Sequence, residues 1–204
     1  MTAIDLSFLI QSHASIPADH SYALVGAVSR LVPAAHGGNG YALAPIAGRQ
    51  VGGRQMKLTD NSRFVVRTTP DLIQQFLPLA GKTIDIFGTK LQLGVPSVHQ
   101  LEPTAALRAR LVTIKGFFQP EPFKEAVQRQ LDKLEIGVCE IVVGKQRTLR
   151  IKRNEIVGFE TTLQQLTPDD SLTIATHGIG GRRHMGCGFF VPSQKEATNG
   201  EIQA

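Results

Sequence analysis

Two kinds of hydrophobic spacing succeed one another in a set order through the first half of this chain, and that order narrows the fold more than anything else in it. Ile4, Leu6, Phe8 and Ile10 alternate with Asp5, Ser7, Leu9 and Gln11. A period of two predicts a strand with one apolar face. After Ile16-Pro17, Asp19 stands where a helix N-cap belongs. Leu24, Ala27, Val28 and Leu31 then recur at helical spacing until Pro33 halts the pattern. Gly37-Gly38-Asn39-Gly40 reads as a loop and residues 41–46 as a returning strand. Residues 63–68 are a further strand. Thr69 and Pro70 then open a short helix with Leu72, Ile73, Phe76 and Leu77 turned inward, and residues 84–93 are strand again. The order β-α-β-β-α-β is that of a ferredoxin-like unit.

At 204 residues the chain has room for two units of about 100 residues each. The turn residues from Gly94-Val95-Pro96 to Pro103-Thr104 predict a linker. The N-terminal unit is therefore assigned to residues 1–95 and the C-terminal unit to 104–193, with 194–204 as a flexible tail. The second unit opens with a strand over 107–114. A helix follows behind Pro120, with Phe123, Val127, Leu131 and Leu134 as its apolar stripe. Strands are expected at 138–143, 148–152, 156–166, 172–176 and 189–191, with no second helix evident. The fold class is thus α+β: two tandem ferredoxin-like (RRM-like) units, the second incomplete or remodelled, ending in a glycine-rich loop.

The net charge of +5 admits an anionic partner, and its distribution says more. From Ile141 to Asn154 there are five basic residues, Lys145, Arg147, Arg150, Lys152 and Arg153, and no acidic one. Gly144-Lys145-Gln146-Arg147 is expected to turn a basic hairpin, with Arg150 and Lys152 on one face. Such an element lies along RNA phosphates; a sheet edge guarded by charge is the competing reading. Cys139 and Cys187 make neither a disulfide framework nor a zinc pattern. No cofactor is expected. The N-terminus lacks a cationic signal, and no apolar run reaches the roughly 18 residues of a membrane span. Those features predict a cytoplasmic protein with no membrane partner.

The most distinctive motif is Gly178-Ile179-Gly180-Gly181-Arg182-Arg183-His184-Met185-Gly186-Cys187-Gly188. Glycines free to take positive φ, with two guanidiniums and an imidazole between them, suggest backbone N–H groups and cations gripping a phosphate backbone. A glycine-rich hairpin with solvated charges is the plainer alternative. Spacing rules out a P-loop, because Gly186 is followed by Cys187 and Gly188. Gly-x-Ser-x-Gly and His-Glu-x-x-His do not occur either.

Two Gly-hydrophobic-Gly triplets separated by five residues that include Arg182 and Arg183 resemble the C-terminal signature of RAMP-superfamily CRISPR proteins. Within that superfamily the chain is most similar to the endoribonucleases of CRISPR precursor transcripts, in the short Myxan-type branch. A looser match is Asp19-His20-Ser21-Tyr22-Ala23-Leu24 at a helix start, with His36 beyond the helix end. The resemblance implies metal-independent cleavage in which a 2′-hydroxyl attacks the adjacent phosphorus, leaving a 2′,3′-cyclic phosphate and a 5′-hydroxyl. It also implies retention on the 3′ stem-loop of the mature guide RNA, among the backbone and other subunits of a surveillance complex.

Six histidines could act as acid or base. On spacing alone none is singled out. The resemblance places the catalytic histidine after the first helix, at His36. His20, in the first turn, is the runner-up and reads as structural rather than catalytic. The tyrosine and lysine that some relatives add are missing: Ser29 occupies the helix face, and no lysine precedes Lys57. Arg49 and Arg54 are the possible sources of charge. The RNA-binding set is Lys145, Arg147, Arg150, Lys152, Arg153, Gly178, Gly180, Gly181, Arg182, Arg183, His184, Gly186 and Gly188. The alternatives are a non-catalytic guide-RNA-binding RAMP subunit and an unrelated ferredoxin-like RNA-binding module. Two tyrosines and no tryptophan offer the latter little to stack bases on.

Overall fold

Strand β1 (Ile4–Ile10) forms where the period-two run predicts it, and its even positions Leu6, Phe8 and Ile10 are buried. It is the middle of the first sheet. On one side it pairs antiparallel with β6 (Arg63–Thr68), and on the other with β8 (Thr89–Gln100). β3 (Tyr41–Ala44) lies outside β6 and β7 (Thr83–Ile86) outside β8, giving the order β3-β6-β1-β8-β7. The computed structural model describes residues 1–35 and 40–193.

Helix α1 (Ser21–Leu31) connects β1 to β3 and buries Leu24, Ala27 and Val28. Asp19 does not cap it. The capping position falls on His20, which makes no side-chain cap bond, and the Asp19 carboxylate is taken up by Arg54. The second crossing is broken into a 3₁₀ turn at Pro70–Leu72, α2 (Ile73–Phe76) and a 3₁₀ turn at Leu77–Leu79. Thr69 makes no cap bond. The tighter 3₁₀ winding shifts the helical period, so Phe76 and Leu79 are the buried anchors and Leu77, expected inside, is exposed. A small sheet of β2 (Ser15–Pro17), β5 (Gln55–Lys57) and β4 (Arg49–Gly52) has no counterpart in the sequence reading. Its strands are three or four residues long, too short to show a period.

β8 continues past residue 95 to Gln100, so most of the expected linker is strand. Ser97 pairs with Ser7 and Val98 with Leu6, while β7 covers only residues 89–92 of β8. Beyond them the far edge is open, and an open edge tolerates Pro96.

The second unit contains β9 (Ala106–Val112), α3 (Pro120–Lys133), β10 (Glu140–Ile151), β11 (Asn154–Gln164), α4 (Pro168–His177) and β12 (Phe190–Pro192). Its sheet order, β10-β11-β9-β12, repeats β3-β6-β1-β8 of the first. Both helices are present, so this ferredoxin-like unit is complete rather than missing a helix. Residues 172–176, expected as strand, belong to α4. The Thr167 hydroxyl accepts the Asp170 N–H at 3.2 Å, Pro168 opens the helix and two aspartates occupy its first turn, features that favour a helix start. Gly144–Arg147 is not a hairpin turn either. Val143 pairs with Thr161 and Gln146 with Phe159, a bulge inside one twelve-residue strand. The turn is at Lys152-Arg153, between the paired Ile151 and Asn154, with Lys152 at a φ of 54°. Lys152 is therefore in the turn and does not share a strand face with Arg150.

Candidate nucleic-acid interface

The glycine-rich loop begins where α4 ends, at Gly178 with a φ of +64°. A Cβ there would lie 2.6 Å from the Gly188 carbonyl oxygen, one at Gly180 2.5 Å from the Thr113 oxygen, and one at Gly186 2.6 Å from the Pro45 ring. One at Gly188 would collide with the Ile179 oxygen. The glycines thus let the loop close on itself, on β9 and on Pro45 of the first unit. Their N–H groups turn inward as well. Gly180 donates to Gln130 Oε1 at 2.7 Å. Gly181 donates to the Thr113 oxygen at 3.0 Å, Gly186 to Arg183 at 3.0 Å and Gly188 to Leu111 at 2.7 Å. The expected anion-binding concavity of glycine N–H groups is therefore corrected: these donors are satisfied by the protein.

The loop's cations separate by direction. Arg182, at a φ of 61°, is exposed. Arg183 points inward, donating from Nη2 to the Thr176 oxygen at 2.6 Å. Its Nε is buried with no partner among the described residues. Burial and the neighbouring Arg67 pull its pKa down to about 10. His184 is half-buried, and burial followed by Arg182 lowers its pKa.

Arg67, which the sequence reading passed over, joins the two units. It is 3% exposed and holds both Asp5 oxygens, at 2.7 and 2.9 Å. It also donates to the carbonyls of Ala175 at 3.1 Å and Phe190 at 2.6 Å, and stacks 4.1 Å over the Phe189 ring. A lone arginine in the apolar run Phe64-Val65-Val66-Arg67 was the available signal.

The basic strand pair is laced with carboxylates. Glu160 receives Arg147 at 3.0 Å and Arg108 at 2.8 Å. Burial would raise its carboxyl, but these bonds outweigh burial and hold it below the ordinary value. Arg150 Nε reaches Glu155 at 3.4 Å, and its main-chain N–H reaches Asp19 at 3.1 Å. Asp19 also takes both Arg54 donors, at 2.8 and 2.7 Å, and these bonds outweigh its burial and lower its pKa. Lys152 sits 5.4 Å over the Tyr22 ring, so the β10–β11 hairpin is docked on the first unit. Lys145 and Arg153 are exposed. Arg49 is exposed on β4 and Ser29 half-buried on α1.

His20 is 1% exposed. Its Nε2 accepts the Ile46 N–H at 2.9 Å, which leaves the proton on Nδ1 to be donated to the Pro17 oxygen at 3.0 Å. Burial, the largest influence, lowers its pKa. The ring is thus a neutral strut between main-chain segments. His36 lies outside the described residues, as do residues 37–39 and the expected tail at 194–204. Ala35, just before His36, is anchored by the Tyr41 hydroxyl at 2.9 Å.

A cleft of about 530 Å³ opens between the units, lined from the first by His20, Pro45 and Ile46 and from the second by Arg110, Gly186 and Phe189. Among the described residues no three His, Cys, Asp or Glu side chains gather as a metal site. None of the described helices is long and apolar enough to cross a membrane.

Residues 4–195 match the profile of the Cas6 family of CRISPR proteins. The chain belongs to the Cas6 family. The CRISPR-associated endonuclease Cas6 of Myxococcus xanthus (strain DK1622) is 36% identical over 197 residues, 97% of this chain and 84% of that protein. Among solved structures, a CRISPR-associated protein Cas6 superposes with a TM-score of 0.64 at 13% identity, covering 95% of this chain and 99% of that one. A Cas6-related protein from Pyrococcus furiosus gives 0.64 at 12% identity, over 96% and 99%. The CRISPR endoribonuclease Cse3, bound to a 19-nucleotide RNA, gives 0.52 at 12% identity, over 94% and 98%. At these identities the Cas6 and Cse3 structures establish the tandem ferredoxin-like fold, and the sequence match carries the family.

Proposed function

We propose that this Cas6-family endoribonuclease cuts CRISPR precursor RNA within each repeat by attack of a 2′-hydroxyl on the adjacent phosphorus. It then remains on the 3′ stem-loop of the mature guide, within a surveillance complex. The observation that carries this reading is the 36% identity, across nearly the whole chain, to a protein described as a CRISPR-associated endonuclease. The nucleophile belongs to the RNA, so the protein has to supply a proton acceptor or donor and positive charge around the phosphorane. His36 supplies the first. His20 is a poor substitute, because taking a proton at Nε2 means giving up the Ile46 N–H. Arg49, exposed on β4, is freer to approach a phosphate than Arg54, which Asp19 holds with two bonds. Lys145, Arg150, Lys152, Arg153 and Arg182 contact RNA phosphates, and Arg147 backs them through Glu160.

The test is cleavage of repeat RNA in EDTA. The expected products carry a 2′,3′-cyclic phosphate and a 5′-hydroxyl. A 2′-deoxy nucleotide 5′ of the cut blocks the reaction, and His36→Ala slows it by about 10²–10⁴-fold with affinity preserved. Loss of activity in EDTA, or cleavage of the deoxy substrate, overturns the mechanism.

A further inference from the structure

The cleft between the units has walls unlike the rest of the basic surface. Pro45, Ile46 and Met56 of the first unit line it together with Phe189 and Val191 of the second. Ile46 and Met56 belong to the first core, and Phe189 is 8% exposed. The Arg67 guanidinium stacked on Phe189 at 4.1 Å keeps that ring from swinging away. The volume, about 530 Å³, falls within the roughly 300–1,000 Å³ of sites that enclose small ligands. A slot of that size admits a base that has left the helical stack, not one held in a duplex.

Its charges are unbalanced. Arg110 and Arg63 line the cleft. The nearby carboxylates are already engaged, Asp19 by Arg54 and the Arg150 main chain, and Glu160 by Arg108 and Arg147. Arg110 forms no ion pair among the described residues, and the Arg147 and Arg54 guanidiniums crowd it with like charge while Asp19 acts the other way. Arg110 is exposed, so its guanidinium is open to an entering phosphate, which it can meet with two donors at once. Asn61 also lines the cleft, and an amide can bond the edge of a base.

We propose that this cleft receives one unpaired nucleotide of the bound RNA, its base between the Pro45–Ile46–Met56 wall and Phe189 and its phosphate on Arg110. The inference rests on the endoribonuclease reading and adds to it a site that fixes the register of the RNA.

The experiment uses the full chain and a panel of CRISPR repeat RNAs carrying 2-aminopurine at each unpaired position in turn. One position should change its fluorescence on binding beyond the others. Ala47→Trp, which places an indole in the cleft from an exposed wall position, should abolish that change and weaken binding about tenfold, as expected for losing one stacked base. Arg110→Gln, at a strand surface, should weaken binding similarly without touching either core. If wild-type protein binds and cuts a repeat while no position responds, or if both variants keep the response and affinity, the nucleotide site is refuted and the endoribonuclease reading stands. If no repeat is bound or cut, that reading fails first and the site with it.

Discussion

Replacing Arg67 by Met tests how the two units are held together. Its guanidinium makes two bonds to Asp5 within the first unit and two to carbonyls of α4 and β12 in the second. Met fills a similar volume but donates nothing. The Ala175 and Phe190 carbonyls each lose a charged donor, worth about 1.5–3 kcal/mol apiece when fully buried. Asp5 keeps its charge without a partner. Breaking a buried pair in this way costs about 3–5 kcal/mol, and the 20% exposure of the Asp5 side chain puts its share at the low end. Removing the guanidinium also removes its own desolvation cost, several kcal/mol, so the losses do not simply add, and the expected net loss is about 3–5 kcal/mol. That is a large fraction of the stability of an ordinary domain, about 5–15 kcal/mol. The assay is urea unfolding followed by circular dichroism. Arg67→Met should lower the midpoint and broaden or split the transition, because the units lose their shared anchor and unfold less cooperatively. Arg67→Lys should recover only part of the loss, since one ammonium cannot serve both carboxylate oxygens and both carbonyls. The double variant Asp5→Leu/Arg67→Met should be more stable than Arg67→Met alone. A loss below about 1 kcal/mol with an unchanged transition would falsify the role of Arg67 as the link.

Gly180→Ala should destabilise by about 1–3 kcal/mol, because φ is +82° and the Cβ meets the Thr113 oxygen at 2.5 Å. Gly181→Ala, with nothing within 4 Å, should stay within about 0.5 kcal/mol of wild type; thermal melts of the pair decide whether the glycines serve packing. Arg182→Ala should reduce the salt slope of RNA binding by about 1. Arg183→Ala should leave that slope unchanged while lowering the melting temperature, and equal slope losses would mean Arg183 turns outward to RNA. The folded pKa of His20 is lowered from 6.5, chiefly by burial. The unfolded chain therefore binds the proton first, so stability is complete above 6.5 and declines as pH falls through the folded value. Melting temperature against pH, compared with His20→Gln, should show that decline in the wild type and less of it in the variant.

Elements whose signal is local were legible in the sequence. The period of two in β1, the stripes of α1 and α3, and the β-α-β-β-α-β order of the first unit need only neighbouring residues to be read. The motif 178–188, matched as a pattern, pointed to the right family. α4 was missed, although Thr167-Pro168-Asp169-Asp170 carries a helix-start signal. Its Leu-Thr-Ile-Ala-Thr run favoured a strand, but packing of Ile174 and Ala175 into the second core supports the helix. The three short strands of the small sheet and the bulge in β10 carry too few residues to declare themselves.

What the glycines and arginines do was decided only in three dimensions. Gly180 looks the same in sequence whether its N–H meets a phosphate or, as it does, Gln130, 50 residues away. Arg67 looks like a solvated strand residue until β12 and α4 bring carbonyls 108 and 123 residues distant onto its guanidinium. Arg183 likewise reads as a free cation, yet the folded chain bonds it to the Thr176 carbonyl; His20, read as structural, is so because its ring bridges two main-chain segments. Periodicity records which face of an element is apolar. The partner of a polar group depends on which distant segment the fold lays beside it, because a donor pairs with the acceptor nearest in space.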